Sequence, residues 1–158
     1  MRVANYLAAQ NVSFDPLAHA PAFSASRRAR WLRTPGQYVA RAVLLVGPEG
    51  RLLAVLRSTH EIALDELARH FVGPLRLASI DEAVKVFRDC EWGAVPAFGN
   101  LYGITTVLDA GIHPEDEIVF EIGSHFADVL MTCGEFERLT GASRVDFARP
   151  LTRHPAVP

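Results

Sequence analysis

Cys90-Glu91-Trp92-Gly93-Ala94-Val95-Pro96-Ala97-Phe98-Gly99-Asn100 is too apolar for a solvated loop and too rich in glycine and proline for the interior of a helix or strand. It reads as an irregular segment folded into the protein. Gly93 and Gly99 leave backbone amides uncovered by side chains, and Pro96 fixes one φ between them. The stretch therefore predicts a rigid turn whose N–H groups can receive a carbonyl oxygen or an anion.

Working upstream from this loop, Ser79-Ile80-Asp81-Glu82 has the form of a capping box and predicts a helix running to Phe87. Before it stand a short strand over 75–78 and a helix over 65–71 that Gly73-Pro74 would end. Residues 38–46 form a nearly continuous apolar strand, and Gly47-Pro48-Glu49-Gly50 turns it onto a hairpin partner over 51–56. A run this apolar predicts burial on both faces. At the N-terminus, Val3, Leu7 and Ala8 fall at helical spacing. Residues 13–17 read as a strand that Pro16 confines to an edge, and Ser24 can cap a helix extending to Arg33. Downstream, 105–108, 117–122 and 127–132 read as strands, 134–140 as a closing helix, and 150–158, with three prolines, as a loose tail. Strands that outnumber helices, joined by hairpins and by helical crossovers, predict an α+β fold: one domain over 1–149, built on a mixed β-sheet with packed helices.

With 158 residues and 49% hydrophobic side chains the chain can bury a sizeable core. Its 16 basic and 18 acidic residues give a formal charge of −2, which argues against salt-driven binding of nucleic acid over the whole surface, DNA included. Any RNA contact must be local. The densest positive patch is Arg27, Arg28, Arg30 and Arg33 on the helix before the long strand, readable either as a solvated face or as a phosphate-contacting element. Cys90 and Cys133 form no C-x-x-C pair, and with His60, His113 and His125 they match no metal-ligand spacing, so neither a metal nor a disulfide framework is expected. A reducing cytoplasm is the expected compartment. No apolar run reaches the roughly 20 residues of a membrane span, and the N-terminus reads as neither signal peptide nor anchor.

Two further residues stand out. Arg41 interrupts the apolar strand, which is costly unless the guanidinium is paired, with Glu61 or Asp65, or faces a wet cleft where it holds a phosphate or carboxylate. His125, after Gly123-Ser124 at a strand end, suits a structural hydrogen bond and chemistry equally. Cys90 makes a poor nucleophile because its acidic neighbour raises its pKa.

The segment Gly93-Ala94-Val95-Pro96-Ala97-Phe98-Gly99, with Val39-Ala40-Arg41-Ala42-Val43 before it and Gly123-Ser124-His125 after it, resembles the YbaK/EbsC family over about 7–147. That family comprises free-standing aminoacyl-tRNA deacylases and the editing domain of bacterial prolyl-tRNA synthetase. The resemblance implies a curved mixed sheet with a cleft lined by the central loop, and hydrolysis of mischarged aminoacyl-tRNA without a metal or other cofactor, partly through a ribose hydroxyl of the terminal adenosine. It implies Arg41, Gly93 and His125 as catalytic residues and Ala94, Val95, Pro96, Ala97, Phe98 and Gly99 as substrate-binding residues; with such a substrate the positive patch of Arg27, Arg28, Arg30 and Arg33 becomes the candidate tRNA contact. A synthetase is a further candidate partner. The chain departs from the family pattern twice. Arg41 stands where the family carries lysine; it keeps the charge, but with a pKa above about 12 it cannot serve as a general base. Ala97 stands where the G-x-x-x-P proline falls, with Pro96 one position early. A rival reading follows from these departures: a catalytically decayed module that binds tRNA, a nucleotide or a protein partner. Hydrolysis of a different small ester or amide is a third.

Overall fold

Ala40, Ala42 and Leu44 alternate with Arg41, Val43 and Leu45 along β2 (Ala40–Gly47); the first three join one hydrophobic cluster, and Val43 and Leu45 meet another. Burial on both faces explains why this strand reads as an almost unbroken apolar run. The computed structural model describes residues 2–12, 14–18, 27, 29, 30 and 32–152. β2 turns through Pro48 and Glu49 into β3 (Gly50–Arg57), antiparallel and in register from Gly47 opposite Gly50 to Ala40 opposite Arg57. β5 (Arg76–Leu77) adds to the outer edge of β2, while β6 (Thr105–Asp109) and β9 (Ser143–Val145) extend the sheet in parallel beyond β3. The result is a mixed five-stranded sheet in the order β5-β2-β3-β6-β9.

β7 (Glu117–Glu121) and β8 (Ala127–Thr132) form an antiparallel pair, with β1 (Asp15–Ala18) on its edge as Pro16 requires. A parallel bridge from Val39 to Val119 joins this second sheet to the start of β2. A two-stranded ribbon of β4 (His60–Ile62) and β10 (Ala148–Pro150) completes the strands described.

The main core is closed by α1 (Arg2–Ala9), through Val3 and Leu7, by α3 (Ile80–Val86), through Ala83, and by α4 (Cys133–Thr140). Phe136 of α4 stacks on Phe120 at 4.1 Å between ring centroids and takes the edge of Phe98 at 5.3 Å. The second cluster lies on the other face of β2 and β3, under α2 (Leu64–Ala68), around Leu45, Leu56, Leu67 and Phe147.

The α+β architecture agrees with the sequence reading, with local differences. The helix expected over 65–71 stops at Ala68. At the start of the expected tail, Pro150 pairs with His60 and Leu151 donates its N–H to Thr59 O at 3.0 Å. Residues 153–158 lie outside the described set, as does Ser24, the expected cap of the arginine-bearing helix; Arg27, Ala29 and Arg30 within that stretch are helical. No helix among the described residues is long and apolar enough to cross a membrane.

Candidate functional site

The central loop is laced to the chain that continues β7. Glu91 donates its N–H to Gly123 O and Ala97 donates to Glu121 O, both at 2.9 Å. The approach is close enough that a Cβ at Gly123 would collide with the Cys90 sulfur, and Gly123 also holds φ at +95°. Side chains reinforce the seam. The Glu91 carboxylate accepts from Ser124 Oγ at 3.2 Å and from the backbone N–H of His125 at 2.9 Å. The hydroxyl of Ser124 in turn accepts from Phe126 N at 3.0 Å.

His125 then reaches back across the seam. Its Nε2 lies 2.8 Å from the carbonyl oxygen of Trp92, and since a carbonyl only accepts, Nε2 carries the proton. That oxygen belongs to the Trp92–Gly93 peptide. In a planar trans unit C=O and N–H point in opposite directions, so holding the oxygen also fixes the direction of the Gly93 N–H. Ala94 spends its own N–H on Glu91 O at 3.0 Å, whereas the N–H groups of Gly93 and Val95 have no hydrogen-bond partner among the described residues. Gly93 is exposed, holds φ at +77°, and has open space where a Cβ would stand. A donor fixed in this way suits an oxygen that gains negative charge during a reaction.

Gly93 and Val95 also wall a cavity of about 200 Å³ against Ala42, Leu44, Ile80 and Ala83. Arg41 projects from the other face of β2, opposite Leu56. Its Nη2 donates to His60 O at 2.9 Å, while its Nε is buried without a hydrogen-bond partner among the described residues. Burial lowers the guanidinium pKa, and the charges of Glu121 and Glu61 oppose that shift. Glu121 lies directly opposite Asp128 on neighbouring strands, and Asp128 is fully buried. Glu121 is therefore the link between the two halves of the site, its carbonyl bound to Ala97 and its charge felt by Arg41.

A family model described as the aminoacyl-tRNA editing domain matches residues 19–139. The chain belongs to this family. The crystal structure of hypothetical protein APE2540 resembles the present editing domain with a TM-score of 0.85 and 18% identity, over 94% of this chain and 100% of that one. Another, described as a proposed trans-editing enzyme for prolyl-tRNA synthetase, has a TM-score of 0.81 and 23% identity, over 94% and 95% of the two chains. At these identities the likeness is one of fold. No curated protein sequence matches the chain.

In this editing domain the predicted residues divide. Gly93 and His125 meet through the Trp92–Gly93 peptide, and Ala94 and Val95 are half-buried beside them. Pro96, Ala97, Phe98 and Gly99 are buried. The Phe98 ring is 0% exposed and packs on Phe136, so its side chain anchors the loop. Of the ion-pair partners considered for Arg41, Glu61 acts on it and Asp65 is not among the charges that do. Arg27, Arg30 and Arg33 are exposed, with Ala29 packed against Val39 and Val119; Arg28 lies outside the described residues. No group of three His, Cys, Asp or Glu side chains among the described residues could hold a metal ion. Burial pushes the Cys90 thiol up, and Asp89 adds to the shift.

Three members of this constellation escaped the sequence reading. Glu121 and Asp128 had a signal in hindsight, as acids at alternating positions of apolar strands. Glu91 had none, because its partners are brought to it only by the fold.

Proposed function

We propose that this editing domain hydrolyses the aminoacyl ester of a mischarged tRNA. The observation that carries the reading is the Gly93 N–H, without a partner among the described residues and aimed by the His125 bond to Trp92 O. An aminoacyl ester is already activated, so a water and a donor for the oxyanion account for most of the chemistry required. Polarisation of the peptide by His125 strengthens its N–H as that donor. His125 is then a positioning residue: its Nε2 proton is committed to a carbonyl, and it acts through Gly93. The adjoining apolar cavity of about 200 Å³ takes a small side chain. Alanyl, cysteinyl, seryl and threonyl esters are the candidates, since such a pocket discriminates by only about 1–3 kcal/mol per methylene. Arg41, on the other face of β2 with its Nη2 on His60 O and its Nε buried, contributes positive charge toward the phosphate beside the ester without a direct hydrogen bond.

The test is deacylation of a panel of mischarged tRNAs by the purified chain, with Arg41→Ala and Arg41→Lys in parallel. One ester lost above its spontaneous rate, a rate at least tenfold lower in Arg41→Ala and near wild type in Arg41→Lys, is the expected outcome. A flat panel with tRNA still bound would replace hydrolysis by a binding role. Activity confined to Arg41→Lys would mark a decayed enzyme.

A further inference from the structure

Trp92 and Phe126 are the most exposed aromatic side chains among the described residues, at 69% and 50%. They come from different segments but flank one contact: Trp92 supplies the carbonyl that His125 holds, and Phe126 follows His125 in the chain. Neither backbone is free to swing. Glu91, before Trp92, is bound through its N–H to Gly123 O, and Phe126 N donates to Ser124 Oγ at 3.0 Å. Two large apolar rings are thus exposed to water on tethered backbone at either side of the Trp92–His125 contact, Trp92 immediately before Gly93, a placement that core packing does not require.

We infer that Trp92 and Phe126 form a stacking platform for the unpaired nucleobase at the 3′ end of the RNA substrate. The inference rests on the editing reading above and adds the element that recognises the terminal nucleotide. The ester to be cleaved sits on the ribose of that nucleotide, so when its carbonyl lies at Gly93 the attached base must lie within one nucleotide's reach, which is where Trp92 stands. The charge balance supports the same occupant. A chain with formal charge −2 has no general excess of cations to hold a polyanion, so beyond a local basic patch its affinity draws on contacts that salt does not screen. Stacking on an aromatic face is such a contact, and it tolerates any base.

The experiment measures binding of an uncharged acceptor-stem minihelix with an unpaired 3′ end, and of the same minihelix lacking only its terminal nucleobase, at several salt concentrations. Circular dichroism confirms that the variants fold. Wild-type protein is expected to prefer the intact minihelix about tenfold. Trp92→Ala should abolish that preference without altering the salt dependence, Phe126→Ala should reduce it, and Trp92→Phe should retain most of it. Equal binding of the two minihelices by wild type, no binding of either, or a preference that survives Trp92→Ala would overturn the inference. Deacylation measured on the same preparations separates the two claims: base-dependent binding without hydrolysis sinks only the enzyme reading, and hydrolysis without base dependence sinks only the platform.

Discussion

Glu91 accepts two hydrogen bonds from the segment after β7, one from a hydroxyl and one from the backbone N–H of His125, and so fixes where the imidazole begins. A carboxylate can accept both; an amide has one acceptor oxygen and turns an N–H₂ toward the other donor. Glu91→Gln should therefore cost about 1–3 kcal/mol of stability. If His125 acts by aiming Gly93, the same change should lower kcat and leave KM nearly unchanged, which thermal melts and steady-state deacylation would read together. A fall in Tm with kcat intact would make Glu91 a structural tie only. Gly93 stood out as a candidate because it leads a glycine-punctuated turn, and His125 because Gly123-Ser124-His125 resembles the family's G-x-H pattern. Glu91 did not, since its meaning depends on Ser124 and His125 lying across a seam that only the folded sheet creates.

At the scale of elements, α3 forms one wall of the cavity beside Gly93, and the order of its first turn depends on Glu82. Ser79 Oγ accepts from Glu82 N at 3.2 Å, Glu82 returns the bond to Ser79 N at 2.7 Å, and Arg76 donates to both carboxylate oxygens at 2.9 and 2.7 Å. The Arg76 hydrogen bonds first, and the Ser79 bonds after them, lower the Glu82 pKa from 4.5 to about 2. A depressed acid stabilises the folded state fully above its unfolded pKa and loses that contribution as pH falls through the folded value. Amide-exchange protection at the start of α3 should thus fall between pH 4.5 and 2. Salt should weaken the effect, because the pair is open to solvent. Glu82→Gln should show neither dependence, and an identical pH profile in the variant would refute the assignment. This helix start was readable from four consecutive residues. β4, β9 and β10 were not: each has three residues, too few for a period, and forms only because a distant partner strand is present.

For the whole molecule, the core dictates where the loop can sit. Phe98 is locked against Phe136, Ala97 is bonded to Glu121, and Gly123 admits Cys90, so the stretch from Trp92 to Val95 is carried out to the surface on a fixed base. The sequence revealed the α+β class and the irregular, buried character of the central loop because apolar runs and glycine punctuation are local properties. It could not show that Arg41 and the small cavity lie on opposite faces of β2, nor that Glu121 joins them, because both depend on how two sheets meet at Val39 and Val119. The central claim is that the Gly93 N–H, held in place by His125, receives the oxyanion. It is tested most directly by replacing the Trp92–Gly93 amide with an ester, through glycolic acid at position 93, and comparing single-turnover deacylation with wild type. Removing that one N–H should lower the rate about 10²- to 10³-fold with the fold intact, whereas a rate equal to wild type would contradict the account.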